Sequence, residues 1–282
     1  MLWTGGKDSA LALYEASQGG HAVHCLVTFA PPQPDFLAHP LSFMKLQAHA
    51  LGLPHYVLPV REPFAVGYEM HLRDLRMEMG IEAVITGDIA EVAGSPNWIR
   101  ERSRPVGMQV HTPLWGRDRK MLLEQLLNHG FDVRFSCIKK RWLNESWVGR
   151  KLDGQAIADL EIVRARTGLD LCGEEGEYHT LVADGPQFAQ AIEIASHSVR
   201  ETESMAFMEL RGLALASKLK TQSPCVSLCQ LDDRGVCVGC FRTVEEIACW
   251  SRMTELEKAA VNARLEARES NFKKIGEVIS NE

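Results

Sequence analysis

The segment that most constrains the fold lies near the start of the chain, at residues 4–9, with the sequence TGGKDS. A short apolar run, MLW, precedes it, and an apolar run with helical character, ALALY, follows it. This order predicts a strand, a glycine-rich turn and a helix. Adjacent glycines allow positive φ and close approach of a ligand, and the helix start directs unpaired N–H groups into the turn. We therefore predict a phosphate-binding loop, with a plain tight turn as the alternative.

The side chains of this loop fit an anion site, with one exception. Lys7 supplies a positive charge, and Thr4 and Ser9 supply hydroxyl donors. Because Lys7 lies on a loop, we expect it to contribute charge rather than packing. Asp8 would repel a phosphate unless it caps the helix or binds Mg²⁺. The spacing GxxxxGK[ST] of the common P-loop is absent, so the predicted loop is of another type.

Strand-like and helical segments alternate as far as residue 137. Strands are expected at 21–29, 55–60, 83–86 and 131–137, and helices at 8–17, 41–51, 63–79 and 117–128. Such alternation predicts an α/β fold with a doubly wound parallel sheet and ligands at the carboxyl ends of its strands. The glycine-rich loop and Gly87-Asp88 both follow predicted strands, although Gly87-Asp88 could also be a simple turn.

The alternation stops at residues 140–150, where we place a boundary between domains 1–139 and 140–216. The second, smaller α+β domain begins with a predicted helix at 154–167 and then carries the segment CGEEGEYHT at 172–180. Three carboxylates, a histidine and a hydroxyl on a glycine-hinged loop could bind Mg²⁺, act as acid or base, or orient an amine. A solvated acidic turn is the alternative.

A small cysteine-rich module is predicted at 225–268, after a polar linker at 217–224 and before a tail at 269–282. Its cysteines follow the spacing C-x₃-C-x₇-C-x₂-C: Cys225, Cys229, Cys237 and Cys240. Four thiolates on so short a segment predict a structural zinc site or an iron–sulfur cluster, which would stabilise a unit too small for a large core. Disulfides or chance clustering are the alternatives.

Two capping boxes predict helices in this module. Thr243 with Glu246 and Thr254 with Glu257 fit the pattern, so helices are expected to begin near Val244 and Glu255.

The overall charge limits the partners that the chain can bind. The net charge is −6 and no apolar run is long enough to span a membrane, which argues against a broad nucleic-acid surface and against membrane insertion. The loop begins almost at residue 1 and leaves no room for a signal peptide. We therefore expect a cytoplasmic protein.

The loop at 4–9 closely resembles the SGGKDS pyrophosphate loop of the N-type ATP pyrophosphatases, the adenine nucleotide alpha-hydrolase superfamily. Within that superfamily, residues 1–216 resemble the diphthine–ammonia ligase branch. The matching segments are Gln47-Ala48, LGLP at 51–54, TGDI at 86–89, GEEGEYHT at 173–180 and DGP at 184–186. Residues 225–265 are similar to a short bacterial Cys-rich domain of unknown function that is described as a predicted iron–sulfur protein.

The resemblance implies an enzyme that cleaves ATP to AMP and pyrophosphate with Mg²⁺. It would adenylate a substrate carboxylate, on a small molecule or a protein, and then form an amide with ammonia or another amine. By the same resemblance, the ATP and pyrophosphate site comprises Thr4, Gly5, Gly6, Lys7, Asp8, Ser9, Gly87 and Asp88. The substrate loop comprises Glu174, Gly176, Glu177, His179 and Thr180. The catalytic residues are expected to be Lys7, Asp8, Glu177 and His179.

Two other functions remain open at this point. The first is a tRNA-modifying enzyme, for example a thiolase, since an ATP-cleaving fold with a cysteine cluster also suits sulfur transfer. The absence of a CxxC pair in the N-terminal domain and the negative net charge argue against it. The second is a regulator without turnover, against which the presence of Lys7, Asp8 and the whole segment 173–180 argues.

Overall fold

The computed structural model describes residues 1–91, 94, 96–218 and 221–279; within helix α8, the side chains at 266, 267 and 270–279 are not described. The chain forms two compact units, residues 1–216 and residues 217–282. Within the described residues, no helix is long and apolar enough to cross a membrane.

A parallel sheet forms the first half of unit 1. Strand β1 (Leu26–Ala30) pairs with β2 (His55–Pro59), and β3 (Ala83–Ile85) pairs with β4 (Gln109–His111). The first residues of the chain join the two ladders, because the N–H of Leu2 donates to the carbonyl of Ile85 and that of Trp3 to the carbonyl of Val27. The short strand predicted before the glycine-rich loop is therefore central, and the parallel α/β fold is confirmed.

The helices of unit 1 are α1 (Lys7–Gln18), α2 (Leu41–Leu51), α3 (Phe64–Met79), α4 (Trp98–Ser103), α5 (Arg119–Asn128) and α6 (Gly154–Thr167). Local signals explain the ends of most of them. Helices α2, α3 and α6 each end at a glycine in the left-handed conformation, which closes the last turn without a Cβ clash. The short helix α4, which the sequence analysis missed, begins at the side-chain cap of Asn97.

An antiparallel sheet forms the second half of unit 1. It contains β5 (Asp132–Lys139), β6 (Tyr178–Asp184), β7 (Gln190–Glu201) and β8 (Met205–Ser217), in the order β6-β5-β8-β7. β5 was expected to end the first domain, but it pairs with β6 and β8. The main hydrophobic core runs from Met1 to Met208 within unit 1. The finer division at 139/140 stays a prediction.

Unit 2 contains two helices and a short turn-rich segment with isolated bridges. Helices α7 (Val244–Cys249) and α8 (Glu255–Ile279) begin at the two predicted capping boxes, which are both formed. The predicted tail is helical as far as Ile279, and residues 280–282 lie outside the described residues, as do 219 and 220 of the predicted linker. An isolated antiparallel bridge joins Leu231 to Cys237.

Candidate functional site

The glycine-rich loop is held from behind by a completely buried glutamine. Gln47 is 0% exposed and its Nε2 donates to the carbonyls of Gly5 (2.8 Å) and Val182 (2.9 Å), while its Oε1 accepts from Trp3 Nε1 at 3.1 Å. Gly5 has φ 75°, and a Cβ there would collide with the Gln47 side chain. The loop therefore requires glycine at this position for both its conformation and its packing.

Strand β6 supplies the cap of helix α1. The Lys7 N–H donates to Thr180 Oγ1 at 3.0 Å, and the Val182 N–H donates to the Gly5 carbonyl at 3.1 Å. Thr180, which was assigned to the substrate loop, thus lies directly against the predicted phosphate loop. The first helical turn is therefore fixed by residues from the other sheet.

Lys7 is buried, and the expectation that it contributes charge but not packing is wrong. It is 2% exposed, and its Nζ lies 2.7 Å from Asp8 Oδ2 and 2.5 Å from the Cys172 carbonyl oxygen. Burial alone would lower the pKa of Lys7, but the adjacent Asp8 carboxylate, together with Tyr178 and Cys172, outweighs it and holds the pKa above its usual value. The ammonium is therefore charged and fixed in place.

A cleft of about 350 Å³ opens beside this loop at the carboxyl ends of the parallel strands. Its polar lining includes Thr4, Asp8, Ser9, Thr86, Gly87, Asp88 and Glu174. Its apolar side carries three rings: Phe29 stacks on Tyr68 with centroids 4.1 Å apart, and Trp98 meets Tyr68 edge-on at 5.9 Å. The cleft thus combines a polar end with an aromatic wall.

Gly87 brings the end of β3 against the start of α1. A Cβ on Gly87 would lie 2.7 Å from the carbonyl carbon of Asp8 and from the backbone nitrogen of Ser9, so only glycine permits this contact. The next residue, Asp88, accepts hydrogen bonds through Oδ2 from Thr86 Oγ1 (2.8 Å) and from Asn97 Nδ2 (2.5 Å). The structure therefore brings Gly87-Asp88 and the glycine-rich loop together.

Glu174 is the carboxylate of the segment 173–180 that reaches the cleft. Its Oε2 accepts from the Ile89 N–H at 3.4 Å. Burial, with a further contribution from the nearby Asp8 charge, raises the pKa of Glu174 to about 7. Burial also raises the pKa of Asp8, and the Lys7 ammonium opposes that shift. The cleft therefore crowds carboxylates that disfavour one another's ionisation.

Glu177 lies beneath this segment, away from the lining of the cleft. It is 1% exposed, and its Oε1 accepts from the Asp170 N–H at 2.9 Å. Gly176, with φ 76°, forms the turn before it. The geometry gives Glu177 a supporting position, and the catalytic role assigned to it stays a prediction.

Asp170 was not identified from the sequence, although it organises the same segment. Its Oδ1 accepts from the Cys172 N–H at 2.8 Å, and its Oδ2 accepts from Arg119 Nε at 3.1 Å. The contact with Cys172 is local, but the ion pair with Arg119 joins Asp170 to the start of the distant helix α5, and no local pattern in the sequence predicts it.

His179 faces a second histidine, His39, that the sequence analysis also missed. Their ring centroids lie 5.3 Å apart, and a Cβ on Gly6 would lie 3.2 Å from His39 Cε1. Burial, with the charges of His179 and Lys7, lowers the pKa of His39 to about 3. Burial and Lys7 also lower the pKa of His179. This pair therefore places two neutral imidazoles beside the loop, outside the lining of the cleft.

The predicted metal-binding cysteines are all free thiols, so they form no disulfides. Cys237 and Cys240 are buried, whereas Cys225 and Cys229 are exposed. The pKa of Cys229 is raised first by Cys225 and further by Cys237 and Cys240, which indicates that the four sulfurs share one neighbourhood. No group of three or more His, Cys, Asp or Glu residues in the described part of the chain has metal-binding geometry.

Comparison with known proteins identifies the class. The family model for the diphthamide synthase N-terminal domain matches residues 1–110, and that for its C-terminal domain matches residues 118–216. The chain therefore belongs to the diphthamide synthase family, a family of ATP-dependent ligases, over these residues. A third family model, of a protein of unknown function (DUF1289), matches residues 223–269.

Among curated proteins, the diphthine–ammonia ligase of Bos taurus is 24% identical over 249 residues, which cover 77% of this chain and 92% of that protein. The human diphthine–ammonia ligase is 23% identical over 249 residues, 78% of this chain and 93% of that protein. The uncharacterized protein YdhL of Escherichia coli K12 is 50% identical over 40 residues, which are 14% of this chain and 51% of YdhL.

Among solved structures, a protein titled as a predicted subunit of tRNA methyltransferase from Methanocaldococcus jannaschii matches with a TM-score of 0.33 and 17% identity. The match covers 66% of this chain and 95% of that protein. A TM-score this low supports no conclusion about function.

Proposed function

We propose that this protein cleaves ATP to AMP and pyrophosphate, adenylates a carboxylate and converts it to an amide. The observation that carries the proposal is the cleft in which the glycine-rich loop, Gly87-Asp88 and Glu174 meet. Its position at the carboxyl ends of parallel strands is where α/β proteins bind nucleotides. The names of the mammalian relatives, which are diphthine–ammonia ligases, agree with this chemistry.

The two ends of the cleft match the two ends of ATP. The N-terminus of α1 favours phosphate oxygens at the polar end, and the Lys7 ammonium, buried behind Asp8 and outside the lining of the cleft, adds positive charge nearby. The rings of Phe29, Tyr68 and Trp98 offer an apolar surface for the base at the other end. Pyrophosphate would leave from the end beside Lys7.

The crowded carboxylates support Mg²⁺ as the accompanying ion. Asp8 and Glu174 would repel phosphate unless a cation lay between them, and burial, with a smaller contribution from the Asp8 charge, raises the pKa of Glu174. Proteins commonly bind Mg²⁺ through one or two carboxylates together with substrate phosphates, rather than with a complete protein cage. When bound, the ion would neutralise charge on the departing pyrophosphate.

The remaining steps need positioning rather than a protein nucleophile. A carboxylate oxygen of the acceptor attacks the α-phosphorus, the bond to the bridging oxygen breaks, and pyrophosphate leaves. The amine then attacks the acyl carbon and AMP departs. The surplus proton of the amine requires an acceptor, and we assign this role to His179, whose imidazole lies beside the loop.

We also propose that Cys225, Cys229, Cys237 and Cys240 bind zinc or an iron–sulfur cluster. The sulfurs neighbour one another, and the carbonyl oxygen of Leu228 lies 3.2 Å from Cys237 Sγ within the same turn-rich segment. Four thiolates would give the tetrahedral sulfur environment that both cofactors use. The cofactor would hold this segment together.

The decisive experiment follows AMP and pyrophosphate. The full chain is incubated with ATP, Mg²⁺ and ammonium chloride, with and without fractionated cell extract, beside an Asp8→Asn variant. Lys120→Ala, which removes an exposed ion pair with Glu161, serves as the control. We expect extract-dependent AMP and pyrophosphate from the wild type and the control only. Release of ADP and phosphate instead, or equal AMP from Asp8→Asn, would refute the proposal.

A further inference from the structure

A buried arginine lies against the cysteine site of unit 2. Arg242 is 4% exposed, and its guanidinium lies over the Trp250 ring at 4.7 Å. Its Nε donates to Cys240 Sγ at 3.5 Å in a buried contact. A guanidinium keeps its charge in proteins, so this residue places a permanent positive charge beside a sulfur atom.

The ion-paired carboxylates among the described side chains of unit 2 pair with other arginines or lysines, and none of their ion pairs involves Arg242. Glu246 pairs with Arg264 at 3.2 Å and with Arg268 at 2.6 Å. Asp232 pairs with Arg234 at 2.9 Å. Among the ion pairs of the described residues, none joins Arg242 to an aspartate or glutamate. A buried charge without a counter-charge is strongly unfavourable, so the sulfur side must supply the negative charge.

We infer that Arg242 is the counter-ion of the site formed by Cys225, Cys229, Cys237 and Cys240. This inference rests on the metal site proposed above. Four thiolates around a divalent ion leave a net negative charge, and the Arg242 guanidinium offsets part of it through its contact with Cys240. Arg242 is a positioning residue, because it touches the thiolate and not the metal.

The contact favours arginine over lysine. The planar guanidinium stacks on the indole of Trp250 while its edge donates to sulfur, and a lysine ammonium cannot do both. The backbone adds to this arrangement, since the Cys237 N–H donates to the Arg242 carbonyl at 2.9 Å. One residue therefore connects the two buried cysteines with the aromatic ring behind them.

The test uses Co²⁺ as the probe on the full chain, purified without oxygen and stripped of metal. Thiolate-to-cobalt absorption measures binding, and competition with Zn²⁺ gives relative affinities. The variants are Arg242→Gln and Arg242→Lys. Arg234→Met is the matched control, because Arg234 lies on the same segment and its side chain is 62% exposed.

We expect Arg242→Gln to bind Co²⁺ about 10- to 100-fold more weakly, as is usual when an outer partner of a metal ligand is lost. Arg242→Lys keeps the charge and should retain more affinity than Arg242→Gln, and Arg234→Met should bind like the wild type. Equal affinities of wild type and Arg242→Gln, or equal losses in Gln and Lys variants, would overturn the counter-ion role alone. Failure of the wild type to bind Co²⁺ would overturn the metal site as well. The assay of AMP and pyrophosphate tests the proposed ATP cleavage independently of both outcomes.

Discussion

Residues 1–216 and residues 217–282 bury different kinds of side chains. In unit 1, one continuous cluster of apolar residues extends over both sheets, and the buried polar side chains, which include Lys7, Gln47 and Glu177, are a minority of the interior. In unit 2, the buried side chains of the described residues are two cysteines, Val261, Leu265 and three polar groups, Arg242, Glu246 and Asn262. The interior of unit 1 is therefore mainly apolar, whereas that of unit 2 is rich in sulfur and charged groups.

The two units also differ in how the charge of a buried cation, Lys7 or Arg242, is balanced. Lys7 has its counter-charge next to it in sequence, at Asp8, and a backbone carbonyl as a second acceptor. Arg242 contacts a sulfur and an aromatic ring. The charge of Lys7 is balanced by the Asp8 carboxylate. The charge of Arg242 would be balanced only when the neighbouring cysteines are ionised, which is the state that metal binding stabilises.

The largest difference between the units should appear in Cys237→Ser. With one buried ligand lost, we expect unit 2 to lose its fold, because metal binding supplies much of the folding free energy of such small units. Hydrogen exchange should show full protection within 1–216 and none within 225–265. The Cys249→Ser variant is the control, since Cys249 lies outside the four-cysteine pattern. Unchanged protection of residues 225–265 in Cys237→Ser would contradict the claim that unit 2 needs its metal-binding cysteines to fold.

Lys7→Met should affect both chemistry and stability of unit 1. Loss of this cation should lower AMP formation by about 10²- to 10³-fold. Because Asp8 then lacks its partner, the free energy of unfolding should also fall by about 1–3 kcal/mol. The double variant Lys7→Met/Asp8→Asn should recover stability in urea unfolding but not turnover. Recovery of AMP formation in the double variant would show that Lys7 acts only in folding.

Gly87→Ala should cause a smaller, more local loss. The added methyl group meets the backbone of Asp8 and Ser9, so the start of α1 must shift. Overpacking of this kind costs about 1–3 kcal/mol, and ATP affinity should fall with it. Gly154→Ala is the matched control, because nothing lies within 4 Å of a Cβ there. Calorimetric titration with a non-hydrolysable ATP analogue measures the ATP affinity of both variants. Equal affinities would exclude Gly87 from the site.

The smallest effect is the pH dependence contributed by Glu174. Its pKa rises from 4.5 to about 7 on folding, so between these values the folded state binds more protons than the unfolded state. Stability contributed by this group therefore decreases as pH rises through that window. Glu174→Gln should remove this decrease, so its Tm relative to wild type should rise between about pH 5 and about pH 8. Glu175→Gln is the control, because Glu175 is exposed, and this variant should keep the wild-type pH profile of Tm.

Local signals in the sequence predicted what local geometry determines. The helix ends at Gly52 and Gly168 and both capping boxes depend on residues close in sequence, and the structure forms them as predicted. The contacts of the loop at 4–9 with Thr180 and Val182 are long-range and were not predicted. Strands β4, β6, β7 and β8 were missed. Strand β4 pairs with β3, and both β6 and β8 pair with β5, so most of these pairings join segments that lie far apart in sequence.

The direction of individual carboxylates was equally hard to predict. Gly173 and Gly176 both have positive φ, so the backbone reverses twice within the segment that carries Glu174 and Glu177. As a result, one carboxylate faces the cleft and the other is buried behind it. A sequence shows that such a segment is acidic and hinged, but it cannot show which side chain faces out.

The hydrogen bonds of Gln47 and Thr180 have a consequence for the order in which the protein is built. Residues 4–7 leave the ribosome well before Thr180 and Val182, which complete their loop. A nascent chain that ends before β6 therefore cannot hold the loop in its final shape. ATP binding through this loop would begin only once nearly all of unit 1 has been synthesised, so an incomplete chain could not consume ATP.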